Sequence, residues 1–393
     1  MWRSLLFLAT PSLSSPTLYY RGNRGAAELN GVIRVPLTAS SSDSSAASVV
    51  RRQIKAPLKH ASFHRLPLIN LGIGTPPQSV SLVFDTGSTF LWVHPVCDAA
   101  DFRPSCKNTA RFNTSASRTF WDSETAIPAY YGLGDISQTV LAISKDFMFS
   151  GNTSLGDIGF GVAEKWNRIP YGILGAAPNM KQQVLSFLHY IVHSGAVKNK
   201  IFGLDVPASD RDQGAVIFSG IDTKKFSGPL EKLPIIPEDE SPDNYPRYWI
   251  YLDGMTIKQA NGSDIASISA ANRQPVILDS GSEDAHLPSD VVDEIYQAFS
   301  SDGGAVDCST RNSNGTIDFA FGKTIIQTPI ADFIVSQNGK YIYILGSHFL
   351  QSAYVVFDWD SGNVWVASSR DCGSNVQPVT GTPDSLEPHI GEC

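Results

Sequence analysis

Residues 82–92 read LVFDTGSTFLW, and they place a single carboxylate at the end of a short apolar run. Asp85 follows Phe84, and three small residues come next: Thr86, Gly87 and Ser88. An apolar run that breaks at a glycine is typical of a short buried strand and the turn that ends it. Asp-Thr-Gly alone is ordinary turn material, so the pattern is informative only if it recurs.

The pattern recurs in the second part of the chain, at residues 277–282, ILDSGS. There Asp279 follows an apolar pair, and the same kinds of small residue come after it: Ser280, Gly281 and Ser282. The word Ile-Leu-Gly also occurs once after each Asp, at residues 173–175 and 344–346. This doubled order indicates an internal duplication, and it predicts two related lobes.

The composition predicts a mainly β fold with a few short helices. The 393 residues are enough for two packed domains, and 32 Gly and 24 Pro favour many short strands with turns between them. Helical patterns are clear only at residues 181–195 and 289–300. No apolar run reaches 18 residues, so we expect no membrane-spanning helix.

Charge is distributed unevenly along the chain. Residues 1–69 contain nine Lys or Arg and two acids, whereas the rest contains 21 bases and 36 acids. A basic arm can bind nucleic acid or a membrane surface, but the acidic remainder of the same chain is the nearest negative partner. The arm also lacks a paired aromatic platform or a known nucleic-acid motif. We therefore expect it to pack on its own body, and we expect no nucleic-acid partner.

Several features indicate the secretory pathway. Residues 1–20 contain an early positive charge at Arg3 and a short apolar run at 4–10, so they are a candidate signal peptide. The five cysteines fit an oxidising compartment. Four sequons are candidate N-glycosylation sites: Asn113, Asn152, Asn261 and Asn314. We expect a protein that is secreted or resides in the secretory pathway or vacuole, and of these locations the sequence favours the extracellular space.

The basic arm contains a segment rich in Ser and Ala, residues 38–50, whose composition is that of a linker. The dibasic pair Arg51 and Arg52 follows it. A processing protease could cleave there, although a solvated basic pair explains the sequence equally well.

Two equivalent lobes would meet at a pseudo-two-fold axis and bring Asp85 and Asp279 into one cleft. Two carboxylates about 3 Å apart cannot both ionise easily, so they share a proton and their apparent pKa values split. One carboxylate then acts as a base on a water molecule, while the other donates a proton to a substrate carbonyl.

The small residues beside each Asp fit this arrangement. Gly87 and Gly281 allow tight turns and the close approach of a ligand. The four hydroxyl residues can donate hydrogen bonds, either to the outer carboxylate oxygens or across to the opposite turn: Ser88 and Ser282 in the first role, Thr86 and Ser280 in the second.

The sequence resembles the pepsin-like aspartic proteases (family A1) of the secreted eukaryotic type, and its Asp-Ser-Gly variant is similar to that of fungal yapsin-like members. The similar segments follow the family's order between residues 66 and 368: INLGIGTPPQ, VFDTGSTFLWV, YYGLG, YGILGAAP, VIFSGID, ILDSGS and ILGSHFLQSAYVVFDWDSGNVWVA. The resemblance implies a bilobal fold of two pseudo-two-fold-related β lobes, acid-favoured peptide hydrolysis, a monomer, and no metal or cofactor. Asp85 and Asp279 match the catalytic pair.

Residues 131–134, Tyr-Gly-Leu-Gly, resemble the tip of the family's flap hairpin. The resemblance assigns Tyr131, Gly132 and Gly134 to this flap, and it makes Trp92 the partner of Tyr131. Such a flap closes over an extended peptide and excludes water, and the peptide or protein substrate binds as an added strand. A surface hairpin and a core tryptophan are the alternative interpretation.

The resemblance also suggests how the chain is divided. The expected segments are a signal peptide, a basic prosegment with its Ser-rich linker, an N-terminal lobe, a C-terminal lobe and a polar tail: residues 1–20, 21–65, 66–222, 223–375 and 376–393. We expect a zymogen whose prosegment lies on the acidic body at neutral pH and leaves on acidification. The tail lacks the hydrophobic end of a GPI signal, so we expect no lipid anchor.

The second lobe departs from the family in length. Leu174 lies 89 residues after Asp85, whereas Leu345 lies 66 residues after Asp279, so the second span is 23 residues shorter. An active secreted endopeptidase is the leading interpretation, because both Asp residues and their supporting serines are retained. The alternative is a non-catalytic pepsin-like protein that binds peptides, a protein partner or a polysaccharide, and that is inactive because this lobe is truncated.

Cysteines and acids supply two further expectations. The family often has a disulfide at the positions of Cys97 and Cys106, and we expect that pair. Three cysteines remain, of which one must stay unpaired within a monomer, and we expect Cys308 to pair with Cys372. Glu283 is unusual for the family; if it faces the two Asp residues, its charge should raise their pKa values.

Overall fold

A computed structural model describes residues 31–39, 66–97, 110–131, 137–166, 171–178, 186–208, 213–268, 273–299, 314–333, 335–337, 343–382, 385–387 and 389–393. Strands dominate these residues and form two β-rich lobes, which confirms the predicted mainly β, bilobal fold. None of the helices in these ranges is long and apolar enough to cross a membrane.

The described ranges contain 25 strands, three helices and two 3₁₀ turns. The first twelve strands are β1 (Ile33–Ala39), β2 (Pro67–Ile73), β3 (Gln78–Asp85), β4 (Leu91–Val93), β5 (Trp121–Tyr131), β6 (Ser137–Ser150), β7 (Thr153–Trp166), β8 (Gly172–Gly175), β9 (Ile201–Asp205), β10 (Gln213–Phe218), β11 (Gly220–Asp222) and β12 (Phe226–Pro234). The others are β13 (Trp249–Leu252), β14 (Gly254–Lys258), β15 (Asp264–Ile268), β16 (Gln274–Leu278), β17 (Ala285–Leu287), β18 (Thr316–Phe321), β19 (Thr324–Pro329), β20 (Val335–Gln337), β21 (Tyr343–Leu345), β22 (Ala353–Asp358), β23 (Asn363–Ser369), β24 (Val376–Pro378) and β25 (Ile390–Glu392). The helices are α1 (Phe187–His193), α2 (Ser289–Phe299) and α3 (Ser347–Leu350), and the 3₁₀ turns are Thr114–Ala116 and Thr223–Lys225.

One large sheet runs through both lobes. Its 14 strands follow the order β25-β12-β23-β22-β9-β10-β1-β2-β3-β8-β4-β7-β6-β5. At its centre β9 pairs antiparallel with β10 on one side and with β22 on the other. Every residue of β9 and β22 is buried, because other parts of the protein cover both faces of the sheet there. Three smaller sheets complete the described strands: β11-β24, β13-β16-β21-β17-β20 and β15-β14-β18-β19.

The internal repeat corresponds to a repeated pair of parallel strands. β3 runs beside β8 with Phe84 opposite Leu174, and β16 runs beside β21 with Leu278 opposite Leu345. Each Asp word therefore lies next to its own Ile-Leu-Gly word, with the Asp where the strand ends. Although the second lobe is shorter between these two words, its strand pair is formed.

A buried tryptophan lies on a strand next to each of these strand pairs. Trp92 is fully buried and packs in a cluster with Val83 of β3. Trp249 is 2% exposed and packs with Ile277 of β16. Burial of each aliphatic partner contributes on the order of 1.5–3 kcal/mol. The strands that carry the two Asp residues are thus each supported by apolar contact with a buried tryptophan.

The first described strand lies inside the segment predicted as prosegment. β1 pairs antiparallel with β10 from Ile33 to Thr38, and with β2 from Leu37 to Ala39. Its side chains alternate, with Val35 only 3% exposed and Leu37 fully buried. Backbone hydrogen bonds and apolar burial therefore hold this strand in the sheet. The boundary predicted at residue 65 therefore places β1, a strand of the 14-stranded sheet, inside the predicted prosegment.

The segment predicted as a polar tail is packed into the fold. β24 pairs with β11, and β25 pairs with β12. Between these strands Val379 is 3% exposed and Leu386 is fully buried. The pairing of β25 with β12 therefore joins this segment to the 14-stranded sheet, and the β11–β24 pair and the two buried side chains attach it further to the body.

The described cysteines correct one expectation. Cys372 and Cys393 form a disulfide, with Cα atoms 5.9 Å apart, so the expected pairing of Cys308 with Cys372 is wrong. The reason is that β25 lies along β12 and brings the C-terminus back to the 3₁₀ turn that Cys372 also contacts. Cys97 is disulfide-bonded, while Cys106 lies outside the described residues, so the Cys97–Cys106 pair stays a prediction.

The four sequons lie in two kinds of environment. Asn152, Asn261 and Asn314 are exposed. Asn113 is half-buried, and its side chain accepts a hydrogen bond from the Ser115 N–H at 3.1 Å as the cap of a 3₁₀ turn. Glycosylation of these residues stays a prediction.

Leu37→Ala should destabilise the folded protein, because Leu37 is buried in the central sheet. Buried Leu→Ala substitutions cost about 2–5 kcal/mol of unfolding free energy. Arg34 is an exposed residue of the same strand, so Arg34→Ala should change this free energy by no more than about 0.5 kcal/mol. Denaturant unfolding followed by tryptophan fluorescence compares the three proteins. If Leu37→Ala unfolded at the wild-type midpoint, β1 would not be an integral strand.

Candidate active site

Four crossed hydrogen bonds join the two Asp turns. The Thr86 hydroxyl donates to the Leu278 carbonyl at 2.7 Å and accepts from the Ser280 N–H at 2.9 Å. The Ser280 hydroxyl donates to the Phe84 carbonyl at 2.6 Å and accepts from the Thr86 N–H at 3.1 Å. Thr86 and Ser280 are both fully buried. Away from water such bonds are costly to break, so they clamp the turns in a two-fold arrangement.

The clamp brings the carboxyl groups of Asp85 and Asp279 into hydrogen-bond contact. Each group also accepts a hydrogen bond from the N–H two residues further along its own turn, Gly87 at 2.8 Å and Gly281 at 2.9 Å. A Cβ atom on either glycine would overlap the carboxyl group of the opposite Asp. Both turns therefore need glycine, because the carboxyl group of the other turn fills the space of a side chain.

The serines that follow the two glycines make different contacts. Ser88 Oγ donates to Asp85 Oδ2. Ser282 Oγ instead donates to the Asp284 carbonyl at 3.3 Å. Ser282 is thus hydrogen-bonded to the backbone of its own turn, whereas the sequence pattern predicted a hydrogen bond to the Asp279 carboxylate.

A chain of side-chain hydrogen bonds leads from the core to Asp85. Trp92 Nε1 donates to the Tyr131 hydroxyl at 2.7 Å, and this hydroxyl is bonded to Ser88. Because Trp92 can only donate and Ser88 already donates to Asp85, the Tyr131 hydroxyl donates to Ser88 Oγ. Burial, followed by the charge of Asp85, raises the pKa of Tyr131 well above its usual range, so it keeps this proton. The predicted partnership of Trp92 and Tyr131 is a direct contact.

The flap is only partly described. Tyr131 is the last residue of β5, and it stands over the Asp85 turn through its bond to Ser88. Gly132 and Gly134, which the sequence assigns to the flap tip, lie outside the described residues. Their role stays a prediction.

The surroundings of the Asp279 carboxyl group favour its protonated form. Burial raises the pKa of Asp279 well above its usual range, and the charge and hydrogen bond of Asp85 raise it further. The Gly281 N–H and the charge of Arg247 act in the opposite direction. Because ionisation of both carboxyl groups in contact is unfavourable, the pair retains one proton up to the raised pKa of Asp279.

The acidic residues after Ser282 are bonded to α3. The Glu283 carbonyl accepts the His348 N–H at 3.2 Å and lies 2.7 Å from His348 Nδ1. The same ring nitrogen is 3.7 Å from Asp284 Oδ1. Burial lowers the pKa of His286, which lies in the next strand. These contacts fix the outer side of the second Asp turn.

Arg247 is a residue of the site that no sequence motif identified. Its Nη1 donates to the Gly87 carbonyl, and its Nε donates to Asp243 Oδ2 at 2.7 Å. Asp85 and Arg247 are the charged groups that shift the pKa of Asp279, so the hypothesis of a Glu283 effect gains no support. The signal available in the sequence was that Arg247 is the first basic residue after the acidic stretch at residues 238–243.

A cavity of about 570 Å³ opens beside the carboxyl pair. Residues 88–90, 128–131 and Pro178 line it on one side, and residues 243–247 line it on the other. Two of its aromatic side chains, Tyr130 and Tyr245, are 62% and 59% exposed. A partly apolar cavity of this size suits a ligand side chain, and its walls come from both lobes.

These features define a class of protein, because paired carboxyl groups on clamped Asp-[Thr/Ser]-Gly turns between two β lobes are the site of an aspartic protease. The family model described as eukaryotic aspartyl protease matches residues 68–369. The chain therefore belongs to the eukaryotic aspartyl protease family, and it is an aspartic-type hydrolase. The resemblance seen in the sequence is confirmed.

Curated relatives from fungi are similar over most of the chain. The probable aspartic-type endopeptidase opsB of Aspergillus oryzae is 27% identical over 340 residues, which are 77% of this chain and 68% of that protein. The aspartic proteinase yapsin-3 of Saccharomyces cerevisiae is 25% identical over 342 residues, 77% of this chain and 66% of that protein. Secreted aspartic protease 3 of Candida albicans is 27% identical over 346 residues, 79% of this chain and 81% of that protein.

The different contacts of the two serines predict different losses of activity. Ser88→Ala removes a hydrogen bond to a carboxylate and breaks the chain from Tyr131, so kcat/KM should fall about 10- to 100-fold. Ser282→Ala removes only a bond to a backbone carbonyl and should cause a clearly smaller loss. Steady-state kinetics on a quenched peptide at acidic pH compares the variants. Equal losses would contradict the asymmetry of the two turns.

Proposed function

We propose that the protein is an aspartic endopeptidase that cleaves peptide bonds within proteins, using a water molecule activated by Asp85 and Asp279. The observation that carries this proposal is the contact between their carboxyl groups on clamped turns, together with the raised pKa of Asp279. The pair can hold one proton and one negative charge at the same time, which is what acid–base catalysis on a peptide requires.

The contacts assign different roles to the two carboxyl groups. Asp85 accepts hydrogen bonds from the Gly87 N–H and from Ser88 Oγ, whereas Asp279 accepts the Gly281 N–H and has a raised pKa. Asp85 therefore takes a proton from water as the water oxygen bonds to the scissile carbonyl carbon. Asp279 gives its proton to the carbonyl oxygen. When the C–N bond of the tetrahedral intermediate breaks, the leaving nitrogen receives the proton held by Asp85, and Asp279 regains its own.

The substrate is an extended peptide that lies between the flap strand and the carboxyl pair. Tyr131 covers one side of the Asp85 turn, and it shields the reacting groups from bulk water. The cavity beside the pair receives one substrate side chain, and its partly apolar lining of tyrosines and prolines favours a large side chain. Main-chain hydrogen bonds along the cleft supply the remaining affinity.

Secretion and synthesis as a zymogen are further parts of the proposal. The disulfide between Cys372 and Cys393 fits an oxidising compartment, and one similar protein is named as secreted. The opposite net charges of the arm and the body support docking of the arm on its own body. Because β1 is held by the central sheet, cleavage at Arg51 and Arg52 would leave this strand attached without a covalent link. We propose that the protein acts as a monomer in which β1 stays paired in the sheet after this cleavage.

The complete second turn speaks against a purely binding function. A truncated, inactive lobe should lose the support of Asp279. Instead, β16 and β21 are paired, and Ser280 makes both of its clamp bonds through its hydroxyl. The shorter span thus affects the surroundings of the cleft and leaves the mounting of the carboxyl pair in place.

Asp85→Asn and Asp279→Asn should each abolish cleavage, because an amide can neither accept the water proton nor supply the shared one. Losses on the order of 10²–10⁴-fold in kcat are expected for each. Asp290→Asn is the matched control, since Asp290 is exposed on α2. Cleavage of a casein substrate at acidic pH measures all three. Wild-type activity in either dyad variant, with folding intact, would sink the proposal.

The raised pKa of Asp279 also predicts how stability depends on pH. Asp279 holds its proton more tightly when folded than at the unfolded value of 3.8, so its contribution to stability is full below that pH and declines as pH rises towards the folded pKa. The amide side chain of Asp279→Asn cannot ionise. The thermal unfolding midpoint of this variant should therefore increase relative to that of the wild type as pH rises above about 4.

Thermal unfolding over a pH series checks this difference. Asp290→Asn should differ from wild type by an amount that does not grow in the same way, because that carboxylate is exposed. If Asp279→Asn and wild type differed equally at every pH, Asp279 would not be the group that retains the proton.

A further inference from the structure

The loop between β12 and β13 reaches across the cleft to the opposite lobe. We define residues 235–248 as the bridging loop. Its turns are closed by backbone hydrogen bonds from Glu240 to Pro237 at 3.0 Å and from Asn244 to Ser241 at 3.3 Å. Asn244 has a positive φ of 54°, a conformation that asparagine tolerates better than most residues. The loop is therefore a built structure with a defined path.

Asp243 organises the bridging loop. Its Oδ1 accepts from the Tyr245 N–H at 3.2 Å and from Trp249 Nε1 at 2.9 Å. Its Oδ2 accepts from Arg247 Nε at 2.7 Å. Trp249 is 2% exposed and packs on Ile277, in the strand that leads to Asp279. Asp243 thus links Arg247 to the support of the second Asp.

Arg247 then contacts the first Asp turn. Its Nη1 donates to the Gly87 carbonyl, two residues after Asp85. The Arg247 side chain is 32% exposed and that of Asp243 is 23% exposed, so the pair lies at the wall of the cleft. One arginine therefore joins the bridging loop of one lobe to the catalytic turn of the other, with its charge beside the carboxyl pair.

We propose that Arg247 is a positioning residue for the Asp85–Asp279 pair, which ties the bridging loop to the Gly87 carbonyl and favours ionisation of the pair by its positive charge. This inference rests on the proposed function. Arg247 lies outside the repeated Asp and Ile-Leu-Gly words, so neither word identified it.

The charged and titratable groups of the described residues around Asp85 and Asp279 show which of them act on the pKa of Asp279. Asp85 faces Asp279 directly, Tyr131 stands on the flap side, and Arg247 with Asp243 lies on the bridging loop. Behind the second turn lie four further titratable residues: Glu283, Asp284, His286 and His348. Of the groups in the described residues, Asp85 raises the pKa of Asp279 by its charge and Arg247 lowers it.

The test is the pH profile of kcat/KM for wild type, Arg247→Gln, Arg247→Lys and Asp243→Asn. Activity falls at high pH when the pair loses its last proton. Removing the charge in Arg247→Gln should move this alkaline limb upward by about half a pH unit or more. Arg247→Lys keeps the charge and should keep the limb near wild type, while losing part of kcat because lysine lacks the planar fork. Asp243→Asn removes a negative charge, so its limb should not move upward.

A merely structural role would lower kcat in Arg247→Gln and Asp243→Asn alike, with both limbs at the wild-type position, and that result would overturn the inference. Unfolding midpoints confirm that each variant is folded; if Arg247→Gln is not, Arg247→Met, which also removes the charge, replaces it with the same expected shift of the alkaline limb. A folded wild type that cleaves nothing would overturn the proposed function and this inference together. A cleaving wild type whose limb is unchanged in Arg247→Gln would overturn the inference alone.

Discussion

The crossed hydrogen bonds of Thr86 and Ser280 are the constraint on which the site depends. Two residues 194 positions apart in the chain are joined by a buried bond in each direction, and each hydroxyl also reaches the backbone of the opposite strand. Two carboxyl groups in contact repel each other once both are ionised. The clamp holds them together against that repulsion. The apolar packing of Trp92 and Trp249 beside the Asp-bearing strands supports it.

The internal duplication gives the two Asp turns matching hydrogen bonds to each other, but the side chains around the two turns make different contacts. Ser88 belongs to a chain that ends on Asp85, whereas Ser282 turns back to its own backbone. The bridging loop adds a contact from Arg247 to the Asp85 turn. In the proposed mechanism, these differences allow one carboxyl group to retain the proton while the other acts as a base. A perfectly symmetric site would give neither group a preferred role.

Much of the site could be predicted from the sequence, because the chemistry is carried by short local words. Asp85, Asp279 and their glycines are recognisable since each must stand at the end of a buried strand and leave room for the opposite carboxyl group. Long-range contacts had no such local signal. β1 looked like part of a basic arm, because only its pairing with β10 reveals it as a strand of the central sheet. The Cys372–Cys393 disulfide likewise depends on the path of β25 along β12, and the contact of Arg247 depends on a loop that crosses the cleft.

Inhibitor-sensitive cleavage of peptides tests the central claim most directly. Folded protein should be incubated with a mixed peptide pool between about pH 3 and pH 7, the range in which a carboxyl pair can share one proton. A parallel sample should contain a statyl inhibitor, which mimics the tetrahedral intermediate. The shared-proton account predicts cleavage that is strongest at acidic pH and is lost with the inhibitor. Folded protein that shows no inhibitor-sensitive cleavage anywhere in this range would contradict it.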